Sequence, residues 1–243
     1  MKTNQDYKNA ALAALKGNWG KAVLLILLYT IVVCLVMGPV TYTSAELQAY
    51  TREHAGSGIY AAASMIQDPA YQLIANRLNG TSGLLSLAQV FLLFPLTVGI
   101  ANAFRKLLTE GDNNLVDNAV RISFHGYLHK VGGMLWMQIL IILWSFLLII
   151  PGIIKSFSYA MTPYILEENP ELSITESIHR SRMMMRGHKF DLFWLYLSFI
   201  GWGILSILTL GIGLLWLAPY METAQAAFYE DVKADYALYG GLD

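Results

Sequence analysis

Apolar residues in this chain gather into long unbroken runs separated by short polar stretches. Five runs approach the roughly 20 residues that a helix needs to cross a bilayer: Ala22 to Gly38, Leu84 to Phe104, Val131 to Ile150, Leu192 to Leu208 and Ile212 to Phe228. A shorter one lies between Ile153 and Leu166, just past Pro151-Gly152. Pro151-Gly152 and Thr209-Leu210-Gly211 carry the Pro/Gly chemistry of tight turns, so each predicts a helical hairpin. The pattern therefore predicts an all-α integral membrane protein with about six transmembrane helices arranged as three hairpins.

The basic residues give a second view, because cytoplasmic loops accumulate lysine and arginine. With the N-terminus inside, 13 of the 16 fall in inner segments, and only Arg52, Arg77 and Lys155 fall outside. Omitting the short fourth crossing would put the run Arg180 to Lys189 outside, so it is retained. The expected topology is N-in, C-in. The outer segment 39–83, with Tyr60-Ala61-Ala62-Ala63 and Asp68-Pro69, has room for one or two surface helices. Its Asn79-Gly80-Thr81 fits a glycosylation acceptor by chance alone if the chain is bacterial.

The polar stretches repeat. Before each odd-numbered crossing stands a short amphipathic helix ending in a glycine with basic neighbours: Lys16-Gly17-Asn18-Trp19-Gly20-Lys21, His125-Gly126-Tyr127-Leu128-His129-Lys130 and Arg186-Gly187-His188-Lys189. Each begins with residues fit for a capping box, in which an N-cap side chain and an acid three residues on satisfy backbone donors: Thr3 with Asp6, Asn114 with Asp117, Ser173 with Glu176. Leu115, Ala119 and Ile122 share one face of the second, with Arg121 and Asn118 elsewhere. Ile174, Ile178, Ser181 and Met185 do so in the third, opposite Arg180 and Arg182. Such helices are expected on the cytoplasmic side in the interface plane, apolar face toward lipid. Pro95, Pro163 and Pro219 fall at matching places in the even-numbered crossings. The chain reads as a single membrane domain, 1–243, built of repeat-like units 1–104, 112–168 and 171–230.

Composition agrees and narrows the function classes. Apolar residues make up 56% and charged residues 14%, against roughly 45–50% and about 25% in soluble domains; mean hydropathy is +0.47. No polar stretch is long enough for a soluble catalytic domain, and no phosphate-binding, nucleophile-elbow or zinc-protease motif occurs. A net charge of −1 gives no field that favours nucleic acid. The one cysteine, Cys34, excludes an intramolecular disulfide and reads as a small core residue. The polar N-terminal part and the lack of a small-x-small site argue for a retained helix rather than a cleaved signal.

Several rigid words follow in order over about 80 residues of the second half. They include Ile150-Pro151-Gly152-Ile153-Ile154, Glu168-Asn169-Pro170-Glu171-Leu172-Ser173 and Ser181-Arg182-Met183-Met184-Met185-Arg186-Gly187-His188-Lys189. Leu197-Ser198-Phe199-Ile200-Gly201-Trp202, Leu208-Thr209-Leu210-Gly211-Ile212-Gly213 and Pro219-Tyr220 through Ala226-Ala227-Phe228-Tyr229 follow. Leu15-Lys16-Gly17-Asn18-Trp19 adds to them. In these words the chain resembles a bacterial family of integral membrane proteins known as domain of unknown function nine-seven-five. The resemblance implies a bacterial cytoplasmic membrane location. It supplies no activity, ligand or catalytic residue.

Glu222 is the candidate residue that stands out, because an ionised carboxylate near mid-bilayer is costly unless paired. Gln225 lies one turn on, and Asn102, which corresponds to Ala226 in the repeat, suggests a polar cluster between the second and sixth helices. A structural role would pair Glu222 with Arg105 or Lys189. Gln89 and Gln138 are further amides at buried depth, of a kind that commonly bond between helices. Arg180, Arg182, Arg186 and Lys189 form a candidate surface for anionic headgroups, and Asp191 with Lys189 suits an interfacial anchor. His125 and His129 share a helix face but lack a third ligand, so neither a metal nor another cofactor is expected. Met183-Met184-Met185 reads as core or lipid contact. The expectation is a non-catalytic membrane protein, an accessory, scaffold or envelope-homeostasis factor. It is not expected to be an enzyme, and intramembrane lipid chemistry is the weakest reading. Its partners would be the lipid bilayer with its anionic headgroups and a second copy or another membrane protein. The alternative is a small transporter with its site around Glu222, because carriers place sites at repeat interfaces near the midplane.

Overall fold

The computed structural model describes residues 2–54 and 64–239; the Tyr60–Ala63 stretch lies outside them. Among the described residues all regular structure is helical. The helices are α1 (Asn4–Leu15), α2 (Trp19–His54), α3 (Pro69–Ala88), a π-helical turn (Gln89–Leu93), α4 (Phe94–Glu110) and α5 (Leu115–Phe124). There follow α6 (Tyr127–Leu147), α7 (Ile149–Tyr159), α8 (Thr162–Glu168), α9 (Ile174–Met184), α10 (Lys189–Leu197), α11 (Ile200–Leu208) and α12 (Leu214–Tyr239). Among the described residues four stretches are long and apolar enough to cross a membrane: Trp19–His54, Gln89–Glu110, Tyr127–Phe146 and Lys189–Leu208. The fourth expected crossing is divided between α7 and α8, because Pro163 in the first turn of α8 has no N–H to continue α7.

The chain forms two compact units, residues 1–28 with 94–243, and residues 29–93. In the smaller unit, the helix expected to end at Gly38-Pro39 runs on through Pro39. The Thr43 hydroxyl donates to the Pro39 carbonyl at 2.7 Å. Arg77 pairs with Glu46 at 3.5 Å across α2 and α3. Asn79-Gly80-Thr81, whose match to a glycosylation acceptor reads as chance, lies within α3. Cys34, expected in the core, is exposed, because it stands on the uncovered apolar surface of α2.

In the larger unit α1, α5 and α9 precede glycines with left-handed backbone: Gly17 (φ 81°), Gly126 (φ 59°) and Gly187 (φ 88°). That conformation costs glycine little and lets each chain turn at once into the next helix. Both caps at Thr3/Asp6 and Ser173/Glu176 form reciprocal boxes. The expected cap at Asn114 does not form. Asp112 instead accepts from the Asn114 N–H at 3.0 Å and from the Asn118 side-chain amide at 2.8 Å. Asn118, expected to face away from the apolar side, is buried by that bond.

The apolar faces of these helices pack on the bundle rather than standing free. Tyr7 and Ala11 of α1 enter the core with Phe228 and Tyr229 of α12. α5 presses so closely on α4 that a Cβ at Gly99 would lie 2.2 Å from the Ala119 carbonyl oxygen. Large apolar side chains left uncovered gather at two hairpin tips, with Phe146 86%, Ile149 77% and Leu210 94% exposed. The first tip turns at Leu148, whose backbone is extended, and not at Pro151-Gly152 as expected. Pro151 sits in the first turn of α7, where its missing N–H costs nothing. Both tips are closed by a serine seven residues before a glycine: a Cβ at Gly152 would lie 2.2 Å from the Ser145 hydroxyl, and one at Gly213 would lie 2.8 Å from that of Ser206. Small residues bring membrane helices together in this way.

Candidate functional site

Glu222 lies on α12, half-buried, and makes no hydrogen bond or ion pair among the described residues. It stands within electrostatic range of the Tyr164 and Tyr196 hydroxyls. Tyr196 donates to Gln225 Oε1 at 2.6 Å, which ties α10 to α12 beside it. The Tyr164 hydroxyl is fully buried and has no hydrogen-bond partner. Its ring stacks on Tyr229 with centroids 4.5 Å apart. Glu222, Gln225, Tyr164 and Tyr196 thus form one polar group inside an apolar bundle.

Asn102 does not join that group. Its amide donates to the Val98 and Pro163 carbonyls, both at 3.0 Å, and its oxygen accepts from Arg105 Nε at 3.3 Å. It fastens α4 to α8 rather than to the sixth crossing. Gln89 and Gln138, expected at buried depth, are exposed, because each faces away from the bundle. Met184 and Met185 are core residues. The His125 carbonyl accepts from Lys130 at 2.6 Å. Among the described residues no three potential ligands cluster as a metal site.

Arg105 is not the partner of Glu222. Its Nη1 lies 2.7 Å from Glu168 and 3.1 Å from Glu230. Glu168 also accepts from Lys233 at 2.7 Å and from the Tyr229 hydroxyl. Burial pushes the Glu168 carboxyl up, but Lys233, Tyr229 and Arg105 together outweigh it and hold it below the usual carboxylate range. This knot joins α4, α8 and α12. A second pair, Lys130 with Glu167 at 2.6 Å, closes the base of the α6 to α8 hairpin. The sequence pattern had singled out neither Glu167 nor Glu168 as a site. The one available signal was a charge directly after each proline-bearing apolar run, at Arg105, Glu167-Glu168 and Glu230.

The basic candidates lie along α9 and the start of α10. Arg180 and Lys189 are half-buried, while Arg182 and Arg186 are exposed. Arg182 lines a pocket of about 310 Å³ between α6, α7 and α9 that also contains Lys155. His188 pairs with Asp191 at 3.5 Å and with Asp235 at 3.1 Å, so the acid expected to anchor Lys189 is engaged by the histidine. A larger cavity of about 490 Å³, between Trp19, Trp202 and Trp216, is apolar. Its Ser206 and Thr209 hydroxyls bond carbonyls of their own helix.

The family model for proteins of unknown function, DUF975, matches residues 84–236, well over half of the chain and every element of the knot and the basic pocket. The chain belongs to the DUF975 family. No curated protein matches it, and no solved structure does. The DUF975 match begins in α3 and leaves α1 and most of the smaller unit outside.

Proposed function

We propose that this chain is a non-catalytic multi-pass protein of the bacterial cytoplasmic membrane, an accessory, scaffold or envelope-homeostasis factor that holds anionic lipid headgroups on its basic face. In this reading it crosses six times as three hairpins with both termini inside. The charge tally supports the orientation. The observation that carries the headgroup reading is the setting of α9: capped at Ser173 and packed through Ile178 and Ser181, it holds Arg182 out on its exposed side, with Arg186 exposed in the turn that follows. Rigidly presented cations near a membrane surface each attract anionic lipid by about 1 kcal/mol.

Native mass spectrometry of gently extracted protein tests this. Anionic phospholipid is expected in stoichiometric amount, lost when Arg180, Arg182, Arg186 and Lys189 are all changed to Gln. Protein that carries no lipid, or lipid retained in that variant, would overturn it.

A second reading, a small transporter, is favoured by one observation: Glu222 is unpaired beside the unpartnered, buried Tyr164 hydroxyl. Two such groups inside an apolar bundle suit a transient cation or proton. Cation-dependent uptake in vesicles, abolished by Glu222→Gln in a protein that still folds, would select this reading over the first.

A further inference from the structure

The pocket between α6, α7 and α9 sets two cations against each other. Lys155 reaches it from α7, with its ammonium 4.3 Å from the Trp144 ring centroid and 6.0 Å from that of Tyr159. Arg182 reaches it from α9, beside His179 and Thr175, and Trp136 adds a second indole wall. Arg182 and Lys189 both lie within electrostatic range of Lys155. Like charges brought together under an apolar wall repel and lose hydration, so such an arrangement needs a counter-charge.

The described residues do not supply one. α6 and α7 contain no Asp or Glu. On α8, Glu167 is held by Lys130, and Glu168 by Arg105 and Lys233. On α9, Glu176 is spent in the capping box with Ser173. On α10, Asp191 faces His188. Among the described residues neither Lys155 nor Arg182 has a carboxylate partner.

The surroundings say which anion fits. The pocket adjoins the uncovered tip of the α6–α7 hairpin, where Leu143, Phe146, Ile150 and Ile154 stand exposed. A free phosphate would use the two cations and leave that flank idle. A phospholipid uses both: its phosphate between the ammonium and the guanidinium, its acyl chains along the apolar tip, and the indoles at the headgroup level they favour.

We propose that this pocket binds the phosphate of an anionic phospholipid, with Lys155 and Arg182 as its two charge-bearing contacts. The proposal rests on the headgroup reading above and narrows it to one site, two of whose residues, Lys155 and His179, lie outside the basic face.

The test uses the full chain in nanodiscs of phosphatidylcholine, titrated with phosphatidylglycerol and read by native mass spectrometry. Lys155→Gln with Arg182→Gln should weaken phosphatidylglycerol binding by about 30-fold, roughly fivefold for each cation removed. Arg182→Lys should recover most of the loss, and Lys16→Gln, which removes an exposed cation outside both the pocket and the basic face, should leave binding within about twofold. Loss in Arg180→Gln with Arg186→Gln, and none in Lys155→Gln with Arg182→Gln, would overturn the pocket while leaving the headgroup reading standing. Protein with no preference for phosphatidylglycerol over phosphatidylcholine would overturn both. Inorganic phosphate that displaces the lipid at millimolar concentration would make this a free-phosphate site and overturn the lipid assignment. Should the double variant unfold, Lys155→Gln alone, at a half-buried position without a hydrogen bond, decides the matter: fivefold weakening supports the site and unchanged binding removes it.

Discussion

Glu168 takes three bonds at the base of the bundle, from Arg105, Lys233 and the Tyr229 hydroxyl. Its side chain is 13% exposed and that of Arg105 12%, so the pair is nearly dry. Removing one member of a buried pair that leaves its partner unpaired costs about 3 kcal/mol; Arg105 keeps Glu230 at 3.1 Å, so the loss here is less than that. Glu168→Gln is expected to lower the thermal midpoint in detergent accordingly, although the amide keeps the shape. The pH dependence gives a sharper test. Because the folded carboxyl titrates below its ordinary value, its contribution is complete at neutral pH, above the unfolded value of about 4.3. That contribution is lost as pH falls through the lower folded value. Between pH 7 and pH 3 the wild type should lose more stability than Glu168→Gln; parallel curves for the two proteins would show that the knot carries no net stabilisation. No local pattern could have revealed this residue. Two of its partners lie 61 and 65 residues along the chain, and its neighbourhood reads as a polar loop between apolar runs. Glu222 was legible for the opposite reason, as one charge inside a long apolar run.

The short amphipathic helices were the most legible elements, because caps and helix periodicity act over three or four residues. Their surroundings were not. Periodicity identified the apolar faces, and only the folded chain showed those faces spent on the bundle. The box expected at Asn114 does not close: the Asn114 N–H, which Asp117 would have accepted, donates instead to Asp112, two residues earlier. That difference can be measured. Ser173→Ala should destabilise α9 by about 1 kcal/mol, the usual cost of losing a cap, whereas Asn114→Ala should change little and Asp112→Ala should cost as much as Ser173→Ala. Equal effects at 114 and 173 would contradict the cap assignment. Packing between elements is tightest where α5 crosses α4. Gly99→Ala drives its new carbon into the Ala119 carbonyl and the Ser123 hydroxyl, so the helices must part, at a cost of about 1–3 kcal/mol. Gly203→Ala meets nothing within 4 Å and removes a flexible residue from within α11, so it should be neutral or slightly stabilising. A comparison of the two melting curves separates close approach from helix propensity.

At the scale of the whole molecule, the apolar runs predict which parts face a membrane, and the charge tally predicts their direction. One residue of that tally bears on the proposed pocket. The sequence order puts Lys155 outside, four residues past Pro151. Its ammonium lies 4.3 Å from the Trp144 ring centroid and 6.0 Å from that of Tyr159, and it shares a pocket with Arg182. A lysine stem can carry its charge only a few ångströms along a helix toward water, so the proposed pocket requires Lys155 and Arg182 to reach water from the same side. Under that proposal the tally would become 14 basic residues in and 2 out of the 16. The expected result follows in a protein with Cys34→Ser as background. Lys155→Cys and Arg182→Cys should both resist an impermeant thiol reagent in intact cells, and both should react in inverted vesicles. Labelling of position 155 from outside, with 182 protected, would place the two residues across the bilayer from each other and dissolve the pocket they line. Labelling of both from outside would reverse α9 and overturn the N-in, C-in orientation with it.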